Sequence, residues 1–205
     1  MHPNPAFGWD DAGEILDFVA ERGFAHVFTS TAEGLFVAHV PVLVRDGSIW
    51  FHVAKRNRIA GQVAGQRVLI SVAGRDAYQS ANWYVSDNQV PTWHYEAAEI
   101  EGQARQLSAD ELVELLDRLS DLMEARHSPD RPWTRTKMDE GKFEAMTRAI
   151  VGFAVDPDAV RGTRKFNQHK GEGDLAATIE GQRGAGRQDI VQAITDLSGE
   201  RRNGQ

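Results

Sequence analysis

Apolar and polar positions recur along this chain in two periods, and each change of period marks an element. Ile15, Leu16 and Val19 form one apolar side at helical spacing. Asp10 and Asp11 can cap and charge the start of that helix, and Gly23 stands where it should stop. The pattern then turns to strands. Residues 24–30 read as one, Ala32-Glu33-Gly34 as a tight turn, and residues 35–44 as a nearly wholly apolar second strand. Arg45-Asp46-Gly47 turns the chain again, and residues 48–54 return as a third. No helix-length connection separates these strands, so they form an antiparallel meander and not a βαβ unit.

A short helix is predicted over 59–64, then a fourth strand over 67–73 that ends before Gly74. Residues 75–91 read as a loop, although Tyr78, Trp83 and Tyr84 within it need something to pack on. A fifth strand is predicted over 96–106. The clearest local signal follows. Ser108 and Glu111 make a capping box ahead of Leu112, Leu115, Leu116, Leu119, Leu122 and Met123, which repeat at three and four. Pro129 and Pro132 punctuate a loop, a third helix is predicted over 134–147, and a sixth strand over 149–155. From Gly171 the composition shifts to Gly, Gln and Arg. This divides the chain into a folded domain over 1–170 and a polar tail over 171–205, partly disordered, with a weak helix near 189–197. About six strands joined mostly by short turns imply a barrel or sandwich with helices at its edges.

Composition narrows the chemistry. At 205 residues with 41% apolar and 26% charged side chains, the chain can bury a core as one domain with an appended tail. It has no cysteine, which excludes disulfides, thiolate metal sites and cysteine nucleophiles. The opening residues lack the pattern of a signal peptide and no apolar run could cross a bilayer, so a cytoplasmic location is expected. A net charge of −7 leans against a grip on nucleic acid, whose phosphates call for a basic face.

No Walker loop, no GxGxxG after a strand, no GxSxG elbow and no HExxH occurs. Gly61 and Gly65 read as turn glycines. His39, His52 and His94 lie in or beside strands without acidic residues at ligand spacing, which favours buried or ligand-contacting histidines over a metal site. Lys55-Arg56-Asn57-Arg58 follows a strand directly. Such a cluster suits a phosphate dianion, and it equally suits a solvated turn. Val90-Pro91-Thr92-Trp93-His94-Tyr95 is dense in rings that could line a flat ligand or plug a barrel end. Residues 164–170 form a second basic and polar knot.

Taken together these segments resemble the PaiB family, FMN-binding negative transcriptional regulators. The resemblance runs through Ala38-His39-Val40-Pro41, His52-Val53-Ala54 with Asn57, Tyr78 with Trp83-Tyr84, Val90 to Tyr95, Ile150-Val151-Gly152-Phe153, and Lys165-Phe166-Asn167-Gln168. It spans roughly residues 10 to 170. It implies a mainly β protein with added helices (α+β), a split β-barrel of the FMN-binding type seen in pyridoxamine phosphate oxidases, and a homodimer with FMN at the interface. On that basis Lys55, Arg56, Asn57 and Arg58 would hold the flavin phosphate. His39 and His52 would sit near the ribityl chain or ring. Trp93, Lys165, Asn167 and Gln168 would close the site, from the same chain or from the partner chain. Relatives favour a less charged turn than Lys-Arg-Asn-Arg and a different pair at 166–167.

Three functions follow as alternatives. The resemblance implies a flavin-binding negative regulator of transcription. Direct DNA binding has little in the sequence to support it, since only Arg183, Arg187, Arg201 and Arg202 hint at a basic arm. A flavin-dependent oxidoreductase with a nicotinamide donor needs no catalytic signature, because the flavin carries the chemistry. A flavin binder with neither activity is the third.

Overall fold

Inward-facing positions explain the architecture. Ala25, Val27, Ala38, Val40, Val42, Ile49, Phe51, Val53, Val68, Ile70, Val72, Ala98, Ile100, Ala104, Phe153 and Val155 are all buried at strand alternation, and together they fill the inside of a β-barrel. The structure is a computed structural model that describes residues 2–203, with side chains through residue 199. Its strands are β1 (Gly8–Trp9), β2 (Phe24–Thr31), β3 (Gly34–Arg45), β4 (Ser48–Ala54), β5 (Arg67–Gln79), β6 (Thr92–Gln106) and β7 (Ile150–Lys165). Its helices are α1 (Ala12–Arg22), α2 (Ala109–His127), α3 (Lys142–Thr147), α4 (Glu172–Gly184) and α5 (Gln188–Asn203). The strands lie in the order β1-β7-β4-β3-β2-β5-β6, and a further β7–β6 pairing closes the barrel. This is the α+β split barrel expected from the sequence.

Two compact units divide the chain. The larger holds Asp11–Val72 and Glu99–Val160. In it the β2–β3 hairpin pairs His26 with His39 and Phe28 with Val37, and β4 pairs His52 with Gly152 of β7. The barrel closes tightly at Gly102, where a Cβ would lie 2.3 Å from the Asp156 carbonyl oxygen. Outside the barrel, α2 lays Leu112, Leu115 and Leu119 on Leu43, Trp50 and Ala154. Its start is fixed by the reciprocal Ser108–Glu111 capping box, and Arg105 grips Glu111 from β6 at 2.8 and 3.0 Å. Helix α1 begins with the Asp11 side chain accepting from the Glu14 N–H and ends at Gly23, whose φ of 62° is left-handed.

The smaller unit holds Met1–Asp10, Ala73–Ala98 and Arg161–Gln205. Helices α4 and α5 sit there on Ala77 and Phe166, burying Ile190, Ala193 and Ile194.

Several local expectations are corrected. The stretch 59–64 is a run of turns, not a helix. Ile59 and Val63 are both fully buried at helical spacing, but each anchors a turn closed by hydrogen bonds such as Gln62 N–H to Ile59 O. Strand β5 does not stop before Gly74 and continues to Gln79, so much of the expected 75–91 loop is strand; β6 correspondingly starts at Thr92, not at Glu96. The third helix is confined to Lys142–Thr147, behind a 3-10 turn at Arg135–Lys137, and β7 runs ten residues past the expected Val155 end to Lys165. After Gly171 the chain forms α4 and α5 with a buried apolar side; α5 contains the helix expected near 189–197, and α4 was not expected.

Candidate functional site

Six of the ten residues singled out in the sequence belong to the larger unit and four to the smaller. In the larger unit the β4–β7 ladder carries His52 and Ala54 and ends one residue later, where the Lys55 N–H donates to the Ala149 carbonyl at 2.8 Å. The chain then leaves the sheet in a tight turn. Asn57 N–H returns to the Ala54 carbonyl at 2.8 Å, and the Asn57 side chain accepts from the Ile59 N–H at 3.1 Å. Asn57 thus builds the turn through an Asx-type bond. The turn presents Lys55, Arg56 and Arg58 to solvent, all three exposed. Among the described residues none of the three is paired with a carboxylate. Arg58 instead lies over the Phe36 ring, 4.6 Å from its centroid.

Lys55 also lines an open groove of about 420 Å³ between the end of β4, the start of α2 and α3. Arg148 lines the same groove, brought there by the Lys55–Ala149 hydrogen bond. Sequence reasoning missed Arg148, since no spacing links it to residue 55. His52 is half-buried beside Gly152, its Nδ1 has no hydrogen-bond partner, and burial lowers its pKa below the ordinary histidine value. Such an orphaned nitrogen is available to a ligand. His39 is exposed on β3, its ring edge-on to His26 with centroids 4.7 Å apart.

In the smaller unit the named residues divide by role. Trp93 is 55% exposed and packs edge-on against Tyr78, which is 50% exposed. Lys165 donates to the Thr92 hydroxyl at 2.7 Å, and burial depresses its pKa. Asn167 is buried with a left-handed φ of 61° and donates to Tyr84 Oη at 2.9 Å and Thr178 Oγ1 at 3.2 Å. Gln168 accepts from the Phe166 N–H at 2.8 Å and donates to the Ala6 carbonyl at 3.0 Å. These two side chains are therefore engaged inside the unit, where they hold the 164–168 strand end in place.

His94 is fully buried, stacked on Phe166, with Nε2 3.0 Å from Gln79 Oε1. Desolvation lowers its pKa to about 4, so it is neutral at physiological pH. Below it Gln182, also fully buried, donates to the Tyr78 carbonyl at 2.9 Å. Of the basic-arm residues, Arg183 is paired with Glu180 and Arg187 with Asp189; the Arg201 and Arg202 side chains lie outside the described residues.

The cationic turn, the open groove beside it and a buried imidazole with a spare nitrogen form a donor set suited to a phosphorylated, flat-ringed ligand. Residues 1–158 match the family described as "Putative FMN-binding domain". The chain belongs to this FMN-binding-domain family. FMN is accordingly its cofactor. A curated relative, the "Protease synthase and sporulation protein PAI 2" of Bacillus subtilis (strain 168), is 29% identical over 175 residues, 83% of each chain. Among solved structures, the flavocytochrome Anf3 of Azotobacter vinelandii superposes with a TM-score of 0.58 at 12% identity, covering 86% of this chain and 78% of that one. A FAD and heme binding protein of Mycobacterium smegmatis gives 0.55 at 16% identity, covering 77% and 73%. At such identities the two structures speak for the fold of this FMN-binding-domain protein. No helix among the described residues is long and apolar enough to cross a membrane.

Proposed function

We propose that this FMN-binding-domain protein works as a homodimer of the PaiB type in which bound flavin serves negative regulation of transcription. The observation that carries the cofactor half is the turn after β4, whose three cations are exposed and unpaired with any carboxylate among the described residues. Lys55 and Arg56 would hold the phosphate, with Arg58 and the groove cation Arg148 beside them. Asn57 acts by shaping the turn. His52 would offer its spare Nδ1 to the ribityl chain or ring, and His39 would lie next to it. Trp93 of the partner chain, with its Lys165 set by Thr92, would cover the ring, while Asn167 and Gln168 keep the Lys165 strand end rigid. Bound FMN supplies hydride or one-electron chemistry, which the chain's own side chains need not provide.

The regulatory half rests on likeness to PAI 2, named for protease synthesis and sporulation and not for a substrate. It does not require this chain to read an operator. Helices α4 and α5 are joined by a three-residue turn, but the exposed positions of α5 include Asp189 and Asp196 and, among the described side chains, no cation. Phosphates would be repelled there. That acidity favours a second reading, a flavin-dependent oxidoreductase with a nicotinamide donor. The exposed Tyr78–Trp93 pair gives it a surface for a planar ring.

One experiment separates the readings. FMN is titrated into the protein and followed by visible absorption, then NADPH is added anaerobically, and promoter DNA is tested in parallel over a salt series. Bleaching of bound flavin by NADPH would favour turnover, and salt-sensitive DNA retention would favour direct regulation. Lys55→Ala with Arg56→Ala should weaken FMN binding at least about tenfold, the worth of one charge-assisted contact. Unchanged affinity would remove the phosphate assignment.

A further inference from the structure

Helix α4 buries polar side chains where a helix ordinarily buries apolar ones. Its buried positions are Asp174, Thr178 and Gln182, spaced by four along one face, while its apolar Leu175 and Ile179 are only partly buried. A buried polar group is costly unless a partner satisfies it, so these three are explained by what they bond. Asp174 Oδ1 accepts from the Val85 and Ser86 N–H groups at 3.0 Å each, and Oδ2 accepts from the Ser86 hydroxyl at 2.6 Å. Thr178 Oγ1 accepts from Asn167, whose amide also donates to Tyr84 Oη. Gln182 Nε2 donates to the Tyr78 carbonyl at 2.9 Å and to Gln79 Oε1 at 3.3 Å, and the same Oε1 lies 3.0 Å from His94 Nε2. Gln182 Oε1 has no hydrogen-bond partner among the described residues, so its contribution is made by its N–H groups. Between these ties the helix backbone passes directly under Trp83. A Cβ at Gly181 would lie 2.4 Å from Trp83 Cδ2.

We infer that α4 sets the surface that receives the flavin ring, with Gln182 and Asp174 as positioning residues that hold Tyr78 and Trp93 in place. The inference rests on the reading of Trp93 as the ring's cover and adds the part of the chain that orders that cover. Strand alternation links the two layers. Tyr78 and Trp93 point outward on β5 and β6, and their neighbours Gln79 and His94 are buried directly behind them. Gln182 therefore stands at the base of both rings, on the Tyr78 carbonyl and, through Gln79, beside His94. Asp174 fixes the segment between the two strands at Val85 and Ser86. All these contacts lie within the smaller unit. Both positioning residues lie beyond residue 158, where the match to the FMN-binding-domain family ends.

The two rings stand half-exposed and meet edge-on, with centroids 6.0 Å apart at 73°. A loose pair of this kind gives up conformational freedom when a flat ligand lands on it, and ordering the backbone behind it beforehand removes that loss from binding. Apolar contacts let a helix settle at several depths and rotations, whereas a satisfied set of buried hydrogen bonds selects one. A polar stripe on α4 is the arrangement suited to setting a position.

Titrations of the full chain with riboflavin and with FMN, followed by flavin fluorescence, test this. Riboflavin carries the ring without the phosphate, so the ratio of the two affinities separates the ends of the site. Gln182→Met keeps the bulk and removes the N–H groups, and Asp174→Ala removes the acceptor at the start of the helix. Each variant, checked for folding by circular dichroism, should bind both ligands about tenfold more weakly, the worth of one aromatic contact, with the ratio unchanged. Asp174→Asn keeps an acceptor for the two N–H groups and should recover most of the loss. In a Tyr78→Ala, Trp93→Ala background, Gln182→Met should cost nothing further, because it acts through those rings. Wild-type riboflavin affinity in Gln182→Met and Asp174→Ala, with a loss in the Tyr78→Ala, Trp93→Ala variant, overturns the role of α4 and leaves the cover standing. A further loss on adding Gln182→Met to that background, or a loss confined to FMN, also overturns it. Wild-type riboflavin affinity in the Tyr78→Ala, Trp93→Ala variant overturns the cover itself.

Discussion

His94 is the residue whose ionisation the fold controls most strongly. In the unfolded chain it titrates near 6.5, and in the fold desolvation lowers it to about 4. Between those values the unfolded chain holds more protons than the folded one, so stability rises with pH across the window and is lost as pH falls from about 6.5 toward 4. From pH 7 to pH 5 the expected loss from this residue is roughly 2 kcal/mol. Urea unfolding at the two pH values should show it, and His94→Gln, which keeps a polar group toward Gln79, should flatten that dependence. Equal pH slopes for the two proteins would mean that His94 is not the proton-linked group. At this scale the sequence was only partly legible. That His94 sits in a strand and belongs to no metal signature could be read. That it stacks on Phe166 could not, since 72 positions separate them and only β6 and β7 lying side by side unites them. Asn167 and Gln168 show the same limit. A polar knot in a sequence does not reveal that its amides are already committed to Tyr84, Thr178 and Ala6.

Elements whose signals are local were legible, and those set by pairing were not. Helix α2 has its capping box, acidic first turn and basic last turn within its own residues, and the structure keeps all of them. Ser108→Ala removes the acceptor for the Glu111 N–H and one half of the box. The expected cost is about 1 kcal/mol, read as a lower urea midpoint with an unchanged m-value. An unchanged midpoint would show that the Arg105–Glu111 pair alone holds the helix start. By contrast β5 passes through Gly74 and Arg75, which read as a stop. It continues there because Glu96 on β6 fills the space a side chain at 74 would take, with a Cβ only 2.3 Å from its Cγ. That same Glu96, 4% exposed, receives Arg75 Nε at 2.7 Å. A buried pair of this kind is made by the fold and then supports it. The turns at 59–64 failed the other way. Apolar residues at helical spacing also occur wherever a loop needs two anchors, and Ile59 and Val63 are such anchors.

For the whole molecule, the end of the chain decides how much protein there is to explain. The family match stops at residue 158, and composition reads residues 171–205 as an appendage, yet these residues complete the smaller unit's interior. Ile190 and Ile194 are fully or almost fully buried around Phe166 and Ala77, Thr178 receives Asn167, and Gln182 donates to Gln79 Oε1. Asp174 accepts from the N–H groups of Val85 and Ser86, 3.0 Å each, and the Ser86 hydroxyl holds it below the ordinary carboxylate range. A chain ending at Lys170 would expose Phe166, take Thr178 from Asn167 and leave the Val85 and Ser86 N–H groups without Asp174. Two buried isoleucines alone contribute about 3–6 kcal/mol, comparable with the whole margin of a small unit. The truncated chain should therefore bind a hydrophobic dye such as ANS and be cut by protease between residues 73 and 98. The barrel of the larger unit has its own core of Val27, Phe51, Ile70 and Phe153, and it should still give a cooperative transition. A truncated chain that melts at the wild-type temperature without binding dye would return residues 171–205 to the status of a tail. If the expected result is found, flavin affinity measured on the same truncated chain reports how much of the cofactor's hold comes from Lys55 to Arg58 alone. Those residues and their turn lie entirely within the larger unit.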